Sequence, residues 1–238
     1  MAVFVLVHGG FHGGWCWRRV AAHLRIAGYE VYTPTLTGLG ERAHLDIPEI
    51  GLETHVRDVL AVLEFEDLRD VILVGHSMAG MVVTGVAERD PDRLAHLFYL
   101  DADVPRDGES SLDCNGVRGE AREAFVARAG SDGRLTPRPR AHPWGITQEE
   151  DAAWVNSKMT PHPIRAFSDP VRVTDPDRFA GRRTFVLCSE GKDATSAEVQ
   201  TALRVQAEPA WRYRELATGH DAMITKPSEL AELLLELA

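Results

Sequence analysis

The chain has 238 residues, 44% of them hydrophobic, and a formal net charge of -10 at pH 7. This length and composition predict one domain with a sizeable core. The acidic balance disfavours a surface for nucleic acid or an anionic membrane, because both need clustered Lys and Arg. The three cysteines show no metal-ligand spacing and leave at least one unpaired, so we expect a reducing, cytoplasmic location.

The chain opens with a predicted buried strand and a glycine-rich loop. Residues 2–7 are apolar without alternation, as in a strand covered on both faces, and this run is too short to cross a bilayer. The loop over 8–14 matches neither the dinucleotide-binding pattern nor a phosphate-binding P-loop. His8 and His12 have no carboxylate or cysteine at a matching spacing, so we expect hydrogen-bonding roles for them and no metal.

A serine lies where a predicted strand turns into a helix. A second strand is predicted over 29–35 and a helix over 52–63, and an apolar run then ends in Gly75-His-Ser77-Met-Ala79. Small residues on both sides of Ser77 allow a strand and a helix to approach closely around a strained serine. The sequence therefore predicts a nucleophile elbow, which departs from the G-x-S-x-G pattern at Ala79.

The predicted elbow places two groups at one end of the sheet. Its turn exposes the Ser77 hydroxyl at the carboxyl edge, where the N-terminus of the following helix favours negative charge. The backbone amide of Met78 is predicted to point at an oxyanion that develops there.

The middle of the chain departs from strand–helix alternation. A strand is predicted over 94–100, but residues 106–180 contain seven prolines and only two convincing helices, at 120–129 and 148–159. We interpret so long an irregular stretch as an inserted helical lid. The predicted substrate contacts beneath it, with packing of the lid on the body as the alternative, are Phe11, Trp144 and Trp154.

Strand–helix alternation returns in the last part of the chain. Strands are predicted over 183–189 and 211–216, with a helix over 196–207 between them and a terminal helix from Pro227. Such regular alternation favours right-handed crossovers. The sequence therefore predicts an α/β fold, with a mostly parallel sheet and helices on both faces.

His220 is the predicted partner of Ser77. A serine hydroxyl is a poor nucleophile near neutral pH, so it needs a base within hydrogen-bond reach and a third group that orients this base. His220 lies in a glycine-containing loop after the last predicted strand, at the same edge of the sheet as Ser77. We therefore predict that His220 is a general base.

With these residues in place, the chain resembles the α/β-hydrolase fold, and within it the plant methylesterase and hydroxynitrile lyase family with its bacterial esterase relatives. The resemblance implies that Ser77 is the nucleophile and His220 the base, and that the amides of Gly10 and Met78 form the oxyanion hole. It implies no cofactor. The matching segments are residues 7–17, 74–81, 99–102, 186–190 and 219–220, followed by Met223 and Lys226-Pro227.

The acid is the point at which the sequence departs from the family pattern. Relatives place an aspartate directly after the glutamate of a Cys-Thr-Glu-Asp-like segment, whereas Gly191 follows Cys188-Ser-Glu190 here. Asp193 fills this role if the loop carries a short insertion, and it is the predicted acid. The alternatives are Asp101, which follows the strand after the elbow helix, then Glu190, and then the lack of any acid.

Ester hydrolysis through an acyl-enzyme is the activity that the resemblance implies. Lyase chemistry is disfavoured, because the lyase branch uses a threonine where this chain has Gly9 and a lysine where it has Asp221. Acyl transfer or cyclisation on the same triad, and a non-catalytic ligand receptor on this scaffold, are the other hypotheses. We expect a small, largely apolar substrate, no nucleic-acid or membrane partner, and a homodimer as the candidate assembly.

Overall fold

A parallel sheet of six strands forms the centre of the molecule. The computed structural model describes residues 2–45, 47, 49–139 and 142–238. The strands are Val3–Val7 (β1), Glu30–Tyr32 (β2), Val71–His76 (β3), Leu94–Leu100 (β4), Arg134–Leu135 (β5), His162–Pro163 (β6), Arg183–Cys188 (β7) and Arg212–Leu216 (β8). The sheet order is β2-β1-β3-β4-β7-β8, and every neighbouring pair is parallel. The short strands β5 and β6 pair separately and are antiparallel.

Helices cover both faces of this sheet. They are Arg18–Ile26 (α1), Leu52–Phe65 (α2), Ala79–Arg89 (α3), Ser111–Cys114 (α4), Gly119–Val126 (α5), Glu149–Lys158 (α6), Arg165–Ser168 (α7), Ala197–Gln206 (α8), Ala222–Thr225 (α9) and Pro227–Leu235 (α10). Short 3₁₀ helices occur at Gly14–Trp17, Gly40–Arg42, Pro91–Arg93 and Pro143–Gly145. Within the described ranges, no helix combines the length and the apolar character that a membrane span requires.

The side chains of β1 divide the core into two layers. Val3, Val5 and Val7 pack on the side of α2, α3 and α8, and Phe4 and Leu6 pack on the side of α1 and α10. Successive side chains of a strand point to opposite faces, so a strand covered on both faces buries all of them. The predicted parallel sheet with helices on both faces is confirmed.

Strand β2 is shorter than the strand predicted over 29–35. It lies at the edge of the sheet, and its pairing with β1 ends at Tyr32, just before Thr33-Pro34. Proline has no backbone N–H to donate, so the ladder stops there. The chain then runs along the carboxyl edge, where the hydroxyl of Thr35 accepts the N–H of Gly14 at 2.7 Å.

Residues 101–182 leave the sheet after β4 and return to it at β7. They carry α4 to α7 and the β5–β6 pair. Helices α5 and α6 are the two helices predicted for this segment, and each of their ends lies within three residues of the predicted end. Helices α4 and α7 were not predicted, because four residues are too few for a helical period to show in the sequence.

A close approach of two backbone segments fixes the turn between β3 and α3. Gly80 lies against Asp103, and a Cβ on this glycine would be only 1.9 Å from the Asp103 carbonyl oxygen. The Asp103 N–H donates to the Ser77 carbonyl at 3.0 Å. The start of the segment after β4 is thereby held against the turn that carries Ser77.

We predict that Gly80→Ala destabilises the fold, although alanine is the better helix former. In an open helix this exchange stabilises by about 1 kcal/mol, but here the methyl group meets a backbone carbonyl, and such overpacking costs about 1–3 kcal/mol. Urea denaturation measures the free energy of unfolding. Gly85→Ala is the control in the same helix, because its Cβ would meet the Val56 side chain, at 2.7 Å, which can move. An equal or smaller loss for Gly80→Ala would contradict this account.

Candidate active site

Ser77 lies in a strained turn between β3 and α3. Its φ of 56° is in the left-handed region, which is costly for a residue other than glycine. Three backbone hydrogen bonds hold the turn: Ser77 N–H donates to Leu100 O at 3.2 Å, and Ser77 O accepts from Gly80 at 3.1 Å and from Asp103 at 3.0 Å. The neighbouring strand β4 and the residues after it thus fix the serine at the carboxyl edge of the sheet.

His220 is hydrogen-bonded to the buried carboxylate of Asp101. The Nδ1 atom of His220 lies 2.5 Å from Oδ2 of Asp101. Because a carboxylate only accepts, Nδ1 carries the proton and Nε2 keeps a lone pair. Ser77 and His220 line the same cavity. Nε2 is therefore the ring nitrogen that is available to a serine hydroxyl.

Asp193, the predicted acid, does not contact His220. It is exposed, and its Oδ1 accepts the N–H (2.8 Å) and the hydroxyl (2.7 Å) of Thr195 in its own loop. The carboxylate that contacts His220 is that of Asp101, the rival candidate, so the predicted contact of Asp193 is corrected. Asp101 follows β4 in the middle of the sheet, where its N–H donates to Val186 O at 2.7 Å, whereas the loop after β7 carries Asp193 to the surface.

The electrostatics of this pair favour an ionised Asp101 and a basic His220. Burial raises the pKa of Asp101, but the hydrogen bond from His220 and the charges of His220 and Lys192 lower it below its usual range. Burial lowers the pKa of His220, but the hydrogen bond and charge of Asp101, with the charge of Asp221, raise it above 6.5. The site therefore stabilises the imidazolium form of His220.

Two residues with free backbone amides line the cavity beside Ser77. They are Gly10 and Met78, the predicted oxyanion-hole residues, and within the described part of the chain neither N–H donates to a protein acceptor. The loop of Gly10 packs on the elbow, since a Cβ on Gly9 would lie 2.9 Å from the Cβ of Ser77. Both amides are therefore available to a negatively charged oxygen near Ser77.

A buried ion pair supports the Gly10 loop on one side. His12 donates from Nε2 to Oδ2 of Asp221 at 3.0 Å and from Nδ1 to the Gly10 carbonyl at 2.7 Å. Both ring nitrogens donate, so His12 is an imidazolium. Burial lowers the pKa of His12, but the charge and hydrogen bond of Asp221 raise it above its ordinary value. The pair thus fixes the carbonyl of Gly10 while Asp221 stays fully buried.

The segment between β4 and β7 holds the same loop on its other side. The Phe11 N–H donates to Nδ1 of His162 at 3.0 Å, and the Phe11 carbonyl accepts the N–H of Thr160 at 3.0 Å. Phe11 has a φ of 67°, so its backbone is strained. His162 accepts only while its Nδ1 is unprotonated, and burial lowers its pKa well below the ordinary value. These contacts keep the loop in the conformation that places Gly10 beside Ser77.

A cavity of about 550 Å³ opens over Ser77 and His220. Phe11 and Trp144, two of the three predicted substrate contacts, lie in its wall. Aromatic side chains share this wall with several polar and charged groups, so a ligand meets both apolar surface and hydrogen-bonding positions. The other main wall residues are Asp103, Ser111, Asn115, Phe125, Leu135, Phe167 and Glu198.

Trp154, the third predicted substrate contact, lies outside the cavity wall. Its ring packs edge-on against Trp15 with centroids 5.1 Å apart, and the guanidinium groups of Arg18 and Arg19 lie 5.8 and 5.4 Å from its ring centre. Arg19 also donates to Asp151 at 2.9 Å, which holds α6 against α1. The prediction is corrected for this residue: Trp154 packs the segment on the body.

Two groups of potential metal ligands share His220. One joins it to His76 and Asp221, the other to Asp101 and Glu198, with the ligand atoms of each group within 4.8 Å of one another. One member of each group is already engaged, because His76 Nε2 donates to His220 O at 3.1 Å and the Lys192 ammonium contacts Asp101. A cation at this carboxylate disfavours a second one. The donor set is better suited to proton transfer than to holding a metal.

Sequence reasoning did not assign the roles of Lys192 and of the His12–Asp221 pair. The partners lie far apart in the chain, since Lys192 is 91 positions after Asp101 and Asp221 is 209 positions after His12. No local pattern connects positions at such distances. One local hint was a lysine in the loop where the family carries its acid.

We predict that Asp221→Asn strongly destabilises the fold, because it leaves the buried His12 imidazolium without a counter-ion. The expected loss is about 3–5 kcal/mol in the free energy of unfolding, measured by urea denaturation. In a double-mutant cycle with His12→Gln, the double variant should lose less than the sum of the single variants. Glu229→Gln, in an exposed pair with Lys226, is the control and should lose less than about 1 kcal/mol. Additive losses in the cycle would show that the two buried groups do not interact.

Comparisons with known proteins identify the family of this chain. A model of the alpha/beta hydrolase family matches residues 4–233. The chain is 40% identical to a carbendazim hydrolyzing esterase of Nocardioides sp. (strain SG-4G), over 100% of both chains. It is 28% identical to Methylesterase 10 of Arabidopsis thaliana, over 99% of this chain and 91% of that relative.

Solved structures show the same fold. A methylesterase from Arabidopsis superposes with a TM-score of 0.78 at 25% identity, over 99% of this chain and 98% of that chain. The predicted α/β-hydrolase fold and the resemblance to methylesterases and a bacterial esterase are therefore confirmed. A family match over nearly the whole length, with a serine elbow at the carboxyl edge of a parallel sheet, shows that the chain belongs to the alpha/beta hydrolase family.

Proposed function

We propose that this chain hydrolyses a carboxylic ester with a catalytic triad of Ser77, His220 and Asp101. Its family and its 40% sequence identity to an esterase support a carboxylic ester hydrolase. The observation that carries the triad is the hydrogen bond from His220 Nδ1 to Asp101 Oδ2, which leaves Nε2 unprotonated in the cavity that Ser77 lines. A base oriented in this way makes a weakly nucleophilic hydroxyl effective.

The first half of the reaction forms an acyl-enzyme. The Ser77 oxygen attacks the ester carbonyl carbon while Nε2 of His220 takes the hydroxyl proton. The N–H groups of Gly10 and Met78 stabilise the oxyanion of the tetrahedral intermediate. As the intermediate collapses, the carbon–oxygen bond to the alcohol breaks and His220 gives its proton to that oxygen. Asp101 stays ionised and stabilises the imidazolium.

The second half of the reaction regenerates the serine. His220 takes a proton from a water molecule, whose oxygen attacks the acyl carbon of the Ser77 ester. The same two amides hold the oxyanion, and His220 then returns the proton to the serine oxygen. The products are a carboxylic acid and free enzyme, and the reaction needs no cofactor.

The substrate in this proposal is a small, largely apolar ester. A cavity of about 550 Å³ whose wall includes the rings of Phe11, Phe125, Trp144 and Phe167 has room and apolar surface for such a molecule. A relative named as a methylesterase supports an alcohol part as small as methanol. We propose that the segment over 106–180 acts as a lid, since it supplies much of the cavity wall, including Phe125, Trp144 and Phe167.

Two alternative functions lose their support in this geometry. A threonine at position 9, as in the lyase branch, would place its Cβ 2.9 Å from the Cβ of Ser77, so the elbow leaves no room for it. A non-catalytic receptor was credible only because the acid was displaced in the sequence. Asp101 is hydrogen-bonded to His220, so within the described residues His220 has the carboxylate partner that a general base needs.

A cytoplasmic location completes the proposal. Cys16 and Cys188 are buried, Cys114 is partly buried, and all three are free thiols. A protein that keeps three free thiols is suited to a reducing compartment.

We predict that Asp101→Asn lowers kcat for a p-nitrophenyl ester by about 10³–10⁴-fold, because it removes the charge and fixes the wrong tautomer of His220. Ser77→Ala should lose at least as much. Asp193→Asn, a matched change in an exposed aspartate, should leave kcat close to that of the parent enzyme. Steady-state kinetics at several pH values measures all three variants.

A fluorophosphonate probe tests the nucleophile directly. It should label Ser77 with loss of activity, and peptide mapping identifies the modified residue. Retention of most activity in Ser77→Ala, or equal kcat values for Asp101→Asn and the parent, would reject the proposed triad.

A further inference from the structure

Lys192 contacts the carboxylate that orients His220. It lies in the loop after β7, directly after Gly191, whose φ is 76°. Its Nζ contacts Oδ2 of Asp101 and donates to the Cys188 carbonyl at 2.7 Å. Only 11% of its side chain is exposed. A nearly buried ammonium group is therefore fixed at the end of the sheet, beside the proposed triad.

The carboxylate of Asp101 has three donors. Oδ1 accepts the N–H of Cys188 at 3.0 Å, while Oδ2 receives both the His220 ring and the Lys192 ammonium. The lysine and the histidine thus share one oxygen. A cation on that oxygen reduces the attraction that the carboxylate exerts on an imidazolium, since both positive charges draw on the same negative charge.

We propose that Lys192 is a positioning residue that holds the Asp101 carboxylate and limits the basicity of His220. This inference rests on the triad proposed above. His220 must be neutral to accept the serine proton, and in that state the buried carboxylate would otherwise face no full positive charge. Lys192 supplies that charge, so Asp101 stays ionised and in place before the reaction begins.

Lys192 also acts on the second proton transfer. When His220 becomes an imidazolium, two cations lie on one carboxylate oxygen, and the lysine disfavours the protonated ring. The proton therefore passes more readily to the leaving alcohol. A lysine at this position lets the enzyme combine a buried, ionised acid with a base that stays neutral to lower pH.

Other ionisable groups also face His220 and share in its titration. They come from the first loop, the end of β3, the residues after β4, α8 and the loop of His220 itself, and they are His12, His76, Asp103, Glu198 and Asp221. Burial raises the pKa of Asp103 to about 7, so this group titrates in the same range. All five are present in every variant below, so a difference between variants reports on Lys192.

The pH profile of kcat/KM tests this role. In Lys192→Met the acidic limb of the pH profile should move up by about one pH unit, so that kcat/KM falls about tenfold more on the acidic side than on the alkaline plateau, where the lost positioning gives a smaller decrease. Lys192→Arg keeps the charge and should keep the limb in place. Lys158→Met, which removes an exposed lysine at the end of α6, is the control for loss of a positive charge elsewhere.

A merely structural role for Lys192 predicts a different result. The variant would then lose activity by the same factor at all pH values, with the limb unmoved, and this outcome would overturn the proposal. An unchanged profile for Lys192→Met would overturn it as well. If Lys192→Met does not fold, Lys192→Gln keeps a hydrogen-bond donor without the charge, and the same upward shift is expected for it.

NMR titration of His220 separates this inference from the proposed function. Imidazole shifts measured in a Ser77→Ala background give the pKa of His220 without any turnover. Lys192→Gln in that background should raise it by about one unit. If the pKa responds while Ser77→Ala retains esterase activity, the triad fails and the Lys192–Asp101 coupling stands. If the triad variants behave as predicted and the pKa does not move, the role of Lys192 fails.

Discussion

The buried carboxylate of Asp101 joins the ends of three neighbouring strands. It follows β4, and it accepts two hydrogen bonds from neighbouring strand ends. One comes from the N–H of Cys188 at the end of β7, and the other from the ring N–H of His220 after β8. A buried charge is costly unless its lone pairs are satisfied, so each partner is confined to one position. The relative placement of acid and base therefore follows from the burial of one charge among adjacent strands.

A second buried carboxylate, Asp221, lies one residue after His220 and supports the Gly10 loop through His12. Its partner His12 donates to the carbonyl of Gly10, so the loop is tied to the same short segment that carries the base. Each of the two carboxylates has a cationic partner, Lys192 for Asp101 and His12 for Asp221. The two ion pairs on either side of His220 thus fix both the His220 ring and the Gly10 loop.

Strained backbone occurs where these elements meet. Phe11, Ser77 and Asp101 all have positive φ values, and each lies within the proposed site or next to it. Such conformations cost free energy and persist when the surroundings over-determine them. Here the surroundings are hydrogen bonds from other elements, such as those of Thr160 and His162 to Phe11 and that of Asp103 to Ser77. These hydrogen bonds hold the three residues in conformations that a relaxed chain would leave.

The sequence by itself determined the features that are written locally. Apolar runs without alternation gave the parallel strands, and a serine between small residues at a strand–helix turn gave the elbow. Only the tertiary structure decided that Asp101 rather than Asp193 meets His220, that Trp154 packs away from the cavity, and that Lys192 and His12 hold the two carboxylates. A strand or a turn depends on residues close in the chain, whereas these contacts depend on which strand ends become neighbours and on which charges must be neutralised once buried.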